Sequence, residues 1–589
     1  MKRHLIFYTF SFIILAYTVT AQEKHDFVWT LGAGPNLPDL WSGGNLLNFQ
    51  NGNPSISYFD ITYDMDNPVN MSDRYGNLQF YSSGCDVINH TYGVMENGDQ
   101  ISAGSIHNLY CDNFGWGYVS YQGILALPFP GDTNKYILLH SKVNTTNIYD
   151  SISVLYTVID MGENDGLGTV TEKNIFLQRN RFSKTFTAVR HANGRDWWIV
   201  IPEELKTVYH FYLLDPHGLQ GPFVQQPEPE WILGHYGNAM CAFSPDGSKF
   251  VRTGGAVPAA FRLYDFDRCT GILSNAVTLS IPDTSVGKPW ACFSPNSRYL
   301  YHTNKATKVF QYDIYANDIN ASVELVGEKD DFISVWGLAA GPYAMAIGPD
   351  NRIYCTSANG VNVLHTIEYP DLPGSSCEFR PHSITLPATI IFLPPNQPNY
   401  RLYNIPASHC DTLGIEPPIV AFWRSEQDSL ASSAIVNFTD LSYYKPQTWL
   451  WDFGDGTTET VQSPIHQYAP GTYTACLTVC NAMGACNTLC RDIQITAVGT
   501  YEGLNEGLAI RLVPNPASNS AQIQFKEQVP QDCFFNLYDL AGRLIISEPI
   551  TEGASTHSIP LTVCPDGWYF VCITENGRVV ARKKFAVVR

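Results

Sequence analysis

Seven histidines, His90, His107, His140, His191, His235, His302 and His365, are spread through the first two thirds of the chain. Histidine is the side chain best suited to move a proton or hold a metal near neutral pH. None of the seven stands in an H-x-x-x-H, H-E-x-x-H or C-x-x-C spacing, which would aim two ligands at one point, so they read as polar loop or sheet-packing residues. Asp246, Asp265, Asp267 and Asp350 have the right chemistry for metal ligation, yet each falls in a recurring turn where an Asx turn is sufficient. Neither G-x-S-x-G nor S-x-D-x-G-x-T-W occurs, so no nucleophile is marked; no catalytic residue, metal ligand or cofactor is assigned. The loop from Tyr110 to Tyr121, with Phe114, Trp116 and Tyr118 among glycines, suits stacking on sugar rings or, more simply, the packing of an irregular loop.

The elements that would position these side chains are repeated hairpins. Phe243-Ser244-Pro245-Asp246-Gly247-Ser248-Lys249-Phe250 returns as Phe293 to Leu300, as Ile347 to Tyr354 and more loosely as Ala192 to Trp198. Proline presets φ for the turn, Asp-Gly or Asn accommodates the rest of it, and the flanks suit paired strands. Aligned on Gly194, Gly247, Ser297 and Asn351, the turns lie 53, 50 and 54 residues apart, and Gly76 lies 118 residues before Gly194. A second hairpin comes after each turn, as in Phe261-Arg262-Leu263-Tyr264-Asp265-Phe266-Asp267 running into Thr270-Gly271. Two hairpins make a four-stranded unit, and roughly 390 residues at about 54 each give seven units.

Composition agrees with this architecture. A chain of 589 residues exceeds one core, and 13% aromatic residues with 45 Gly and 37 Pro favour short strands and tight turns, so the fold class is all-β. A formal charge of −19 without a Lys/Arg cluster argues against nucleic acid and anionic membranes as partners. Lys2-Arg3-His4, an apolar run from Leu5 to about Val19 and the small residues before Gln22 read as a signal peptide over 1–21, cleaved between Ala21 and Gln22. No later stretch is long and apolar enough to span a membrane, so the mature chain is expected to hold no transmembrane segment. Outside the cytoplasm its 15 cysteines are free to oxidise, and an odd count leaves at least one unpaired.

On the F-S-P-D-G hairpin and the Y-D-F-D-x-x-T-G turn, residues 22–412 resemble the WD-like, YVTN-type β-propellers of secreted bacterial proteins. The resemblance implies a seven-bladed propeller and says little about activity. The first two blades are irregular, with a long Gly-, Asn- and Tyr-rich stretch from Cys85 to Gly123, and the blade count is open there by one. Closure of the ring is expected to join strands near Phe27-Val28-Trp29 with strands between Ile384 and Tyr403. Some propeller hydrolases gather metal-binding carboxylates and Asn from several blades at the channel, a site that one sequence hides.

Composition shifts at Leu413 to Pro418, and short alternating strands come next. Trp451-Asp452-Phe453-Gly454-Asp455-Gly456-Thr457, with His466-Gln467-Tyr468 and Pro470-Gly471-Thr472-Tyr473, resembles the PKD domain over 417–498, which implies an immunoglobulin-like β-sandwich. Trp451 and Phe453 alternate inward, Asp455-Gly456 makes a hairpin turn, and Asp452 and Asp455 read as hydrogen-bonding turn residues ahead of calcium ligands. Cys476 and Cys480 precede the turn Asn481 to Ala485, while Cys486 and Cys490 come after it, and both nested pairs are centred on Met483. One hairpin register therefore sets them opposite, predicting Cys476–Cys490 and Cys480–Cys486 disulfides.

The last stretch, 510–589, carries Pro514-Asn515-Pro516, Leu537-Tyr538-Asp539-Leu540-Ala541-Gly542-Arg543, Gly567-Trp568-Tyr569 and a basic final strand with Lys583 and Lys584. These resemble the type A C-terminal sorting domain of the type IX secretion system, implying a small β-sandwich, a Bacteroidota source and that machinery as partner. The expected protein is secreted or held at the cell surface by way of the periplasm, with a propeller that binds an extracellular glycan or protein. Two alternatives stand beside it: a propeller hydrolase or lactonase with a metal at the channel mouth, and a structural adhesin.

Overall fold

The computed structural model describes residues 23–34, 42–118, 122–143, 152–180, 185–203, 206–229, 240–254, 260–282, 290–304, 306–334, 337–358, 360–427, 434–495, 510–513, 517–518, 520–526, 528–539, 544–561, 564–565, 567–575 and 578–587. The signal segment with Ala21 and Gln22 lies outside them, as do His235, Pro514, Asn515, Pro516 and Gly542. No helix among the described residues is long and apolar enough to cross a membrane.

Seven antiparallel sheets succeed one another between Val28 and Ile390, each a simple meander. The first two have three strands and the other five have four. Their burial falls from first strand to last: Thr187–Arg190 is buried throughout, whereas Gly218–Gln225 in the same sheet is largely exposed. The same gradient separates Trp290–Phe293 from Glu324–Glu328. First strands of neighbouring sheets pack on one another, Thr187–Arg190 against Cys241–Phe243 and Cys241–Phe243 against Trp290–Phe293, so they line a common axis. This is the β-propeller arrangement. The recurring turns place Gly76, Gly194, Gly247, Ser297 and Asn351 at φ of 91°, 79°, 72°, 62° and 62°, the left-handed conformation that Gly, Asn and small polar residues take most easily.

Ring closure differs from the expectation. Among the described residues Val28–Ala33 pairs within its own three-stranded sheet, Phe379–Ile390 pairs with Val361–Ile367, and no ladder joins the ends. Side chains make the join: the Asn45 amide donates to Ala388 O at 3.0 Å and accepts from Ala388 N at 2.8 Å, imitating a backbone pair. Trp29, Leu47, Phe49, Tyr354, Leu386 and Ile390 fill the seam in one core. Pro394, Pro395 and Pro398 explain the difference, because a residue without an N–H is excluded from a central ladder.

Four strands, Thr448–Asp452, Thr458–Glu459, Gly471–Cys480 and Cys486–Ile495, form one sheet of the PKD sandwich, and Trp423–Gln427, Ala434–Asp440 and Ile465–Tyr468 form the other. Trp423, Phe438, Trp451 and Phe453 interlock between them, with ring centroids 5.1–5.7 Å apart. The chain divides into two compact units, and the first, Met1–Glu426 with Val436–His466 and Thr472–Ile493, holds the propeller and most of this sandwich. Within that unit Arg352 ties the recurring turn of the seventh sheet to the start of the sandwich. It meets Asp350 and Glu368 at 2.7 Å each, and also Glu426. Arg424 meets Glu426 at 2.9 Å, and Arg491 donates to Gln50 O at 3.0 Å. Charges buried this way hold only as a set, since removing one partner leaves the others unpaired. The second unit contains the C-terminal module, a three-stranded and a four-stranded sheet around Ile523, Phe535, Leu537, Ile559, Val571 and Ile573.

The buried histidines sit in separate sheets. His140 bonds Ser102 at 2.7 Å and Thr157 at 3.0 Å, His302 stacks on Phe310, and His365 bonds Ser357 at 3.1 Å. Burial lowers the imidazole of His140 to about 3 and those of His302 and His365 to about 4. Unfolded, these groups take up protons near 6.5, so the stability they confer is complete above that pH and is lost as pH falls from 6.5 towards 4. Urea unfolding at pH 7, 6, 5 and 4 is expected to show that decline at up to about 1.4 kcal/mol per pH unit per histidine, with a shallower slope in His302→Gln.

Candidate ligand-binding cavity

The stretch from Phe392 to Ile405, with its prolines and amides, cannot extend a sheet and instead runs across the first strands. The Asn396 side chain donates to Ile124 O at 2.8 Å and Phe186 O at 3.1 Å, while its backbone N–H donates to Pro68 O at 3.3 Å, so one residue spans three sheets. Tyr400 donates to Ala126 O at 2.9 Å, Asn399 to Pro245 O at 2.7 Å, and Ile405 N to Ala192 O at 2.9 Å. Gln122 crosses to the fifth sheet, pairing both ways with the Cys241 peptide at 2.7 and 3.0 Å. Arg401 holds Asp26 through both oxygens. A Cys269–Cys410 disulfide then anchors the end of the segment to a turn of the fifth sheet, with His409 Nε2 3.0 Å from Cys269 Sγ.

This segment forms one wall of a cavity of about 560 Å³ that is also bounded by the first strands of the fourth, fifth, sixth and seventh sheets. Its walls are Met240 to Phe243, Trp290 to Phe293, Met345 to Ile347 and Leu393 to Pro406, closed at the end of the recurring turns by Leu441 to Lys445 of the sandwich. Two thiols line it, Cys241 and Cys292, and burial pushes each up to about 12, so neither is a thiolate nucleophile near neutral pH. The charged groups of the wall are satisfied internally. Arg401 pairs with Asp26, and Arg268 donates to the Arg190, His191 and Tyr403 carbonyls. Asp246 accepts from Ser244 and Ser248, and Lys445 Nζ lies 5.0 Å from the Tyr403 ring centroid. Asn67, in the wall beyond the Arg401–Asp26 pair, comes just after two perturbed carboxyl groups: burial pushes Asp64 up to about 6 and Asp66 well above the usual carboxylate range, and Asp66 Oδ1 is buried without a partner.

The other sequence candidates lie elsewhere. Asp265 meets Lys249 and Asn275, and Asp267 accepts from Cys269 N and Thr270 Oγ1 at 2.8 Å each, both as turn residues. Asp350 likewise accepts from Arg352 N at 3.3 Å as a turn residue, and is in addition fully buried and bonded to the Arg352 and Tyr354 side chains. His90 is exposed, His107 contacts Asp112 at 3.5 Å, and His191 bonds Cys269 O. Among the described residues the one cluster of three metal-ligating side chains is Cys269, His409 and Cys410, where the two sulfurs are joined to each other. Phe114 and Trp116 stack with centroids 4.4 Å apart on a loop pinned by Cys85–Cys111.

In the sandwich, Asp452 accepts from Gly454 N at 3.0 Å. Asp455 receives Thr457 on one oxygen and His466 on the other at 2.8 Å, and the His466 ring stacks on Phe453 at 3.9 Å. Gly456 takes a φ of 91°, and Trp451 is fully buried. The structure holds Cys476–Cys490 and Cys480–Cys486 bridges, with Cα separations of 4.0 and 4.1 Å. In the C-terminal module Gly567 opens a strand, Tyr569 is buried with its hydroxyl 2.8 Å from Pro565 O, Lys583 is exposed, and Lys584 stands opposite Phe570.

A family profile described as the PKD domain matches residues 416–497, and one described as the secretion system C-terminal sorting domain matches 511–588, so the chain carries both modules. A microbial collagenase of Vibrio alginolyticus is 31% identical over 102 residues, 17% of this chain and 10% of that protein; the chain thus spans about a tenth of that curated relative. A PKD domain of Vibrio anguillarum Epp is 28% identical, covering 14% of this chain and 98% of that one, with a TM-score of 0.13. The periplasmic gluconolactonase of Pseudomonas aeruginosa is 13% identical, covering 68% of this chain and 99% of that one, with a TM-score of 0.22.

What sequence reading missed is the axial segment and its staple. The signal was present as Pro394-Pro395-Asn396-Gln397-Pro398-Asn399, a run fit for side-chain bonding and unfit for a ladder. Replacing both Cys269 and Cys410 with Ser is expected to cost about 2–4 kcal/mol in urea unfolding. Hydrogen exchange should rise over 393–410 first, with the sheets still protected.

Proposed function

We propose that the propeller binds an extracellular ligand, a glycan or a protein, in its axial cavity. The type IX machinery handles the chain through its sorting domain, and the protein belongs outside the cell or on its surface. The domain limits that accompany this reading are a signal peptide over 1–21 cleaved at Ala21-Gln22, a seven-bladed propeller over 22–412, the PKD domain over 417–498 and the sorting domain over 510–589. One observation carries the binding reading: the cavity is roomy and mixed in polarity, yet its thiols are held protonated and its buried charges, Arg401 with Asp26 and Arg268 on three carbonyls, are already bonded. Such a wall recognises shape and hydroxyl or amide groups without supplying a nucleophile.

A second reading, a hydrolase with a metal at the channel mouth, is favoured by Asp64 and the unpartnered Asp66 Oδ1 beside the Asn67 wall. The two separate by experiment. Binding predicts that the purified chain retains glycans or proteins on an array, that Trp290→Ala, assayed at a temperature where it is still folded, abolishes this, and that Asp66→Asn does not. Metal-dependent turnover of a lactone or ester that Asp66→Asn removes would replace binding with catalysis.

The sorting reading has its own test. Deleting residues 510–589 is expected to leave a folded propeller and sandwich in the periplasm of the native host, measured by fractionation and immunoblotting. Export at the full-length level with an intact outer membrane would contradict it.

A further inference from the structure

Tyr444 and Lys445 adopt φ of 68° and 60°, two consecutive non-glycine residues in the left-handed region. A conformation that side chains disfavour persists where surrounding contacts enforce it. Here it turns the loop of the sandwich over the cavity end: the Tyr444 ring meets Tyr403 edge-on at 5.9 Å, and the Lys445 ammonium caps the same Tyr403 ring. Next to them Tyr443 also lines the cavity, its ring between Arg401, 5.1 Å away, and Phe422, stacked at 5.9 Å. The Tyr443 hydroxyl is buried and has no hydrogen-bond partner. That hydroxyl is shut off from solvent and does not open onto the cavity, so what Tyr443 gives the wall is ring surface.

Resting on the reading that the axial cavity binds a ligand, we infer that the site is composite and that its ligand is a neutral saccharide: the propeller supplies Trp290 and the axial amides, and the PKD sandwich supplies Tyr443 and Tyr444. Trp290 is half-buried in the wall with its indole N–H fixed on Met345 O at 2.7 Å, which orients the ring. Aromatic rings in the wall match the C–H faces of a sugar, while wall amides match its hydroxyls. In the buried wall Arg401 is paired with Asp26 and Arg268 is committed to three carbonyls, while Asp246 and Lys445 are exposed to solvent, so a charged ligand finds no uncommitted partner inside and its buried charge would go unanswered. The volume of about 560 Å³ falls within the range of roughly 300–1,000 Å³ typical of small-ligand sites, suiting a short oligosaccharide. The Arg352, Glu368 and Glu426 set fixes the sandwich where this wall requires it.

The test titrates the full chain with maltotriose, laminaritriose, mannotriose and chitotriose, and with trigalacturonate as the anionic counterpart, by calorimetry. Tyr443→Phe removes one unbonded oxygen, and Tyr444→Gly removes a ring while easing a left-handed residue, so both should melt no lower than the parent. The expected result is binding of at least one neutral trisaccharide, weakened about 5- to 10-fold by Tyr444→Gly and unchanged by Tyr443→Phe, whose oxygen does not open onto the cavity. Preference for trigalacturonate, failure of all four neutral sugars, or a peptide as the cavity ligand would overturn the inference. A cavity ligand lost in Trp290→Ala but indifferent to Tyr444→Gly would overturn the composite site and leave the cavity reading standing. A ligand indifferent to Trp290→Ala as well would remove the cavity reading itself.

Discussion

Hydrogen bonds from one irregular segment to the carbonyls of the first strands carry much of the architecture. Each first strand of a propeller offers main-chain groups towards the axis that no neighbouring strand can reach, and they need partners. Asn396, Asn399 and Tyr400 supply them for Ile124, Phe186, Pro245 and Ala126, across sequence separations of 154–274 residues. Between them the side chains reach the third, fourth and fifth sheets, so these sheets are held in angular order by a chain that belongs to none of them. The Cys269–Cys410 bridge then fixes the far end of the segment.

The cavity is a consequence of that arrangement. The segment runs across the axis from the second sheet to the fifth and leaves open a volume that it shares with the first strands of the fourth to seventh sheets. The Arg401–Asp26 pair and the Gln122 bridge keep the wall rigid and also absorb its polar capacity. The site that remains is poor in reactive groups and rich in oriented aromatic and amide surface, a combination suited to recognition more than to bond cleavage.

The PKD sandwich is more than a spacer here. Arg352 and Arg424 share Glu426 at the seventh sheet, and Tyr443 to Lys445 form part of the cavity wall. Buried ion pairs fix orientation better than they add stability, because the cost of removing charges from water offsets most of their attraction. Export of the chain through the sorting domain would therefore deliver propeller and sandwich as one body.

The amino-acid sequence by itself determined whatever depends on neighbours in the chain. Pro-Asp-Gly and Pro-Asn-Ser turns recur because local sterics place Gly247 and Ser297 in the left-handed region, and that period set the series of meander sheets. Trp451 and Phe453 point inward because strand side chains alternate. Tertiary structure alone decided the rest. That Asp350 would be buried against Arg352 and Tyr354, although it shares a turn position with Asp246, depends on a sandwich more than 60 residues further along the chain. That 392–405 would line an axis, although Ile384 to Tyr403 reads locally as strand, depends on unpaired carbonyls far away in sequence. Turn and strand preferences are properties of a few adjacent residues, whereas burial, charge pairing and the cavity arise only when distant segments meet.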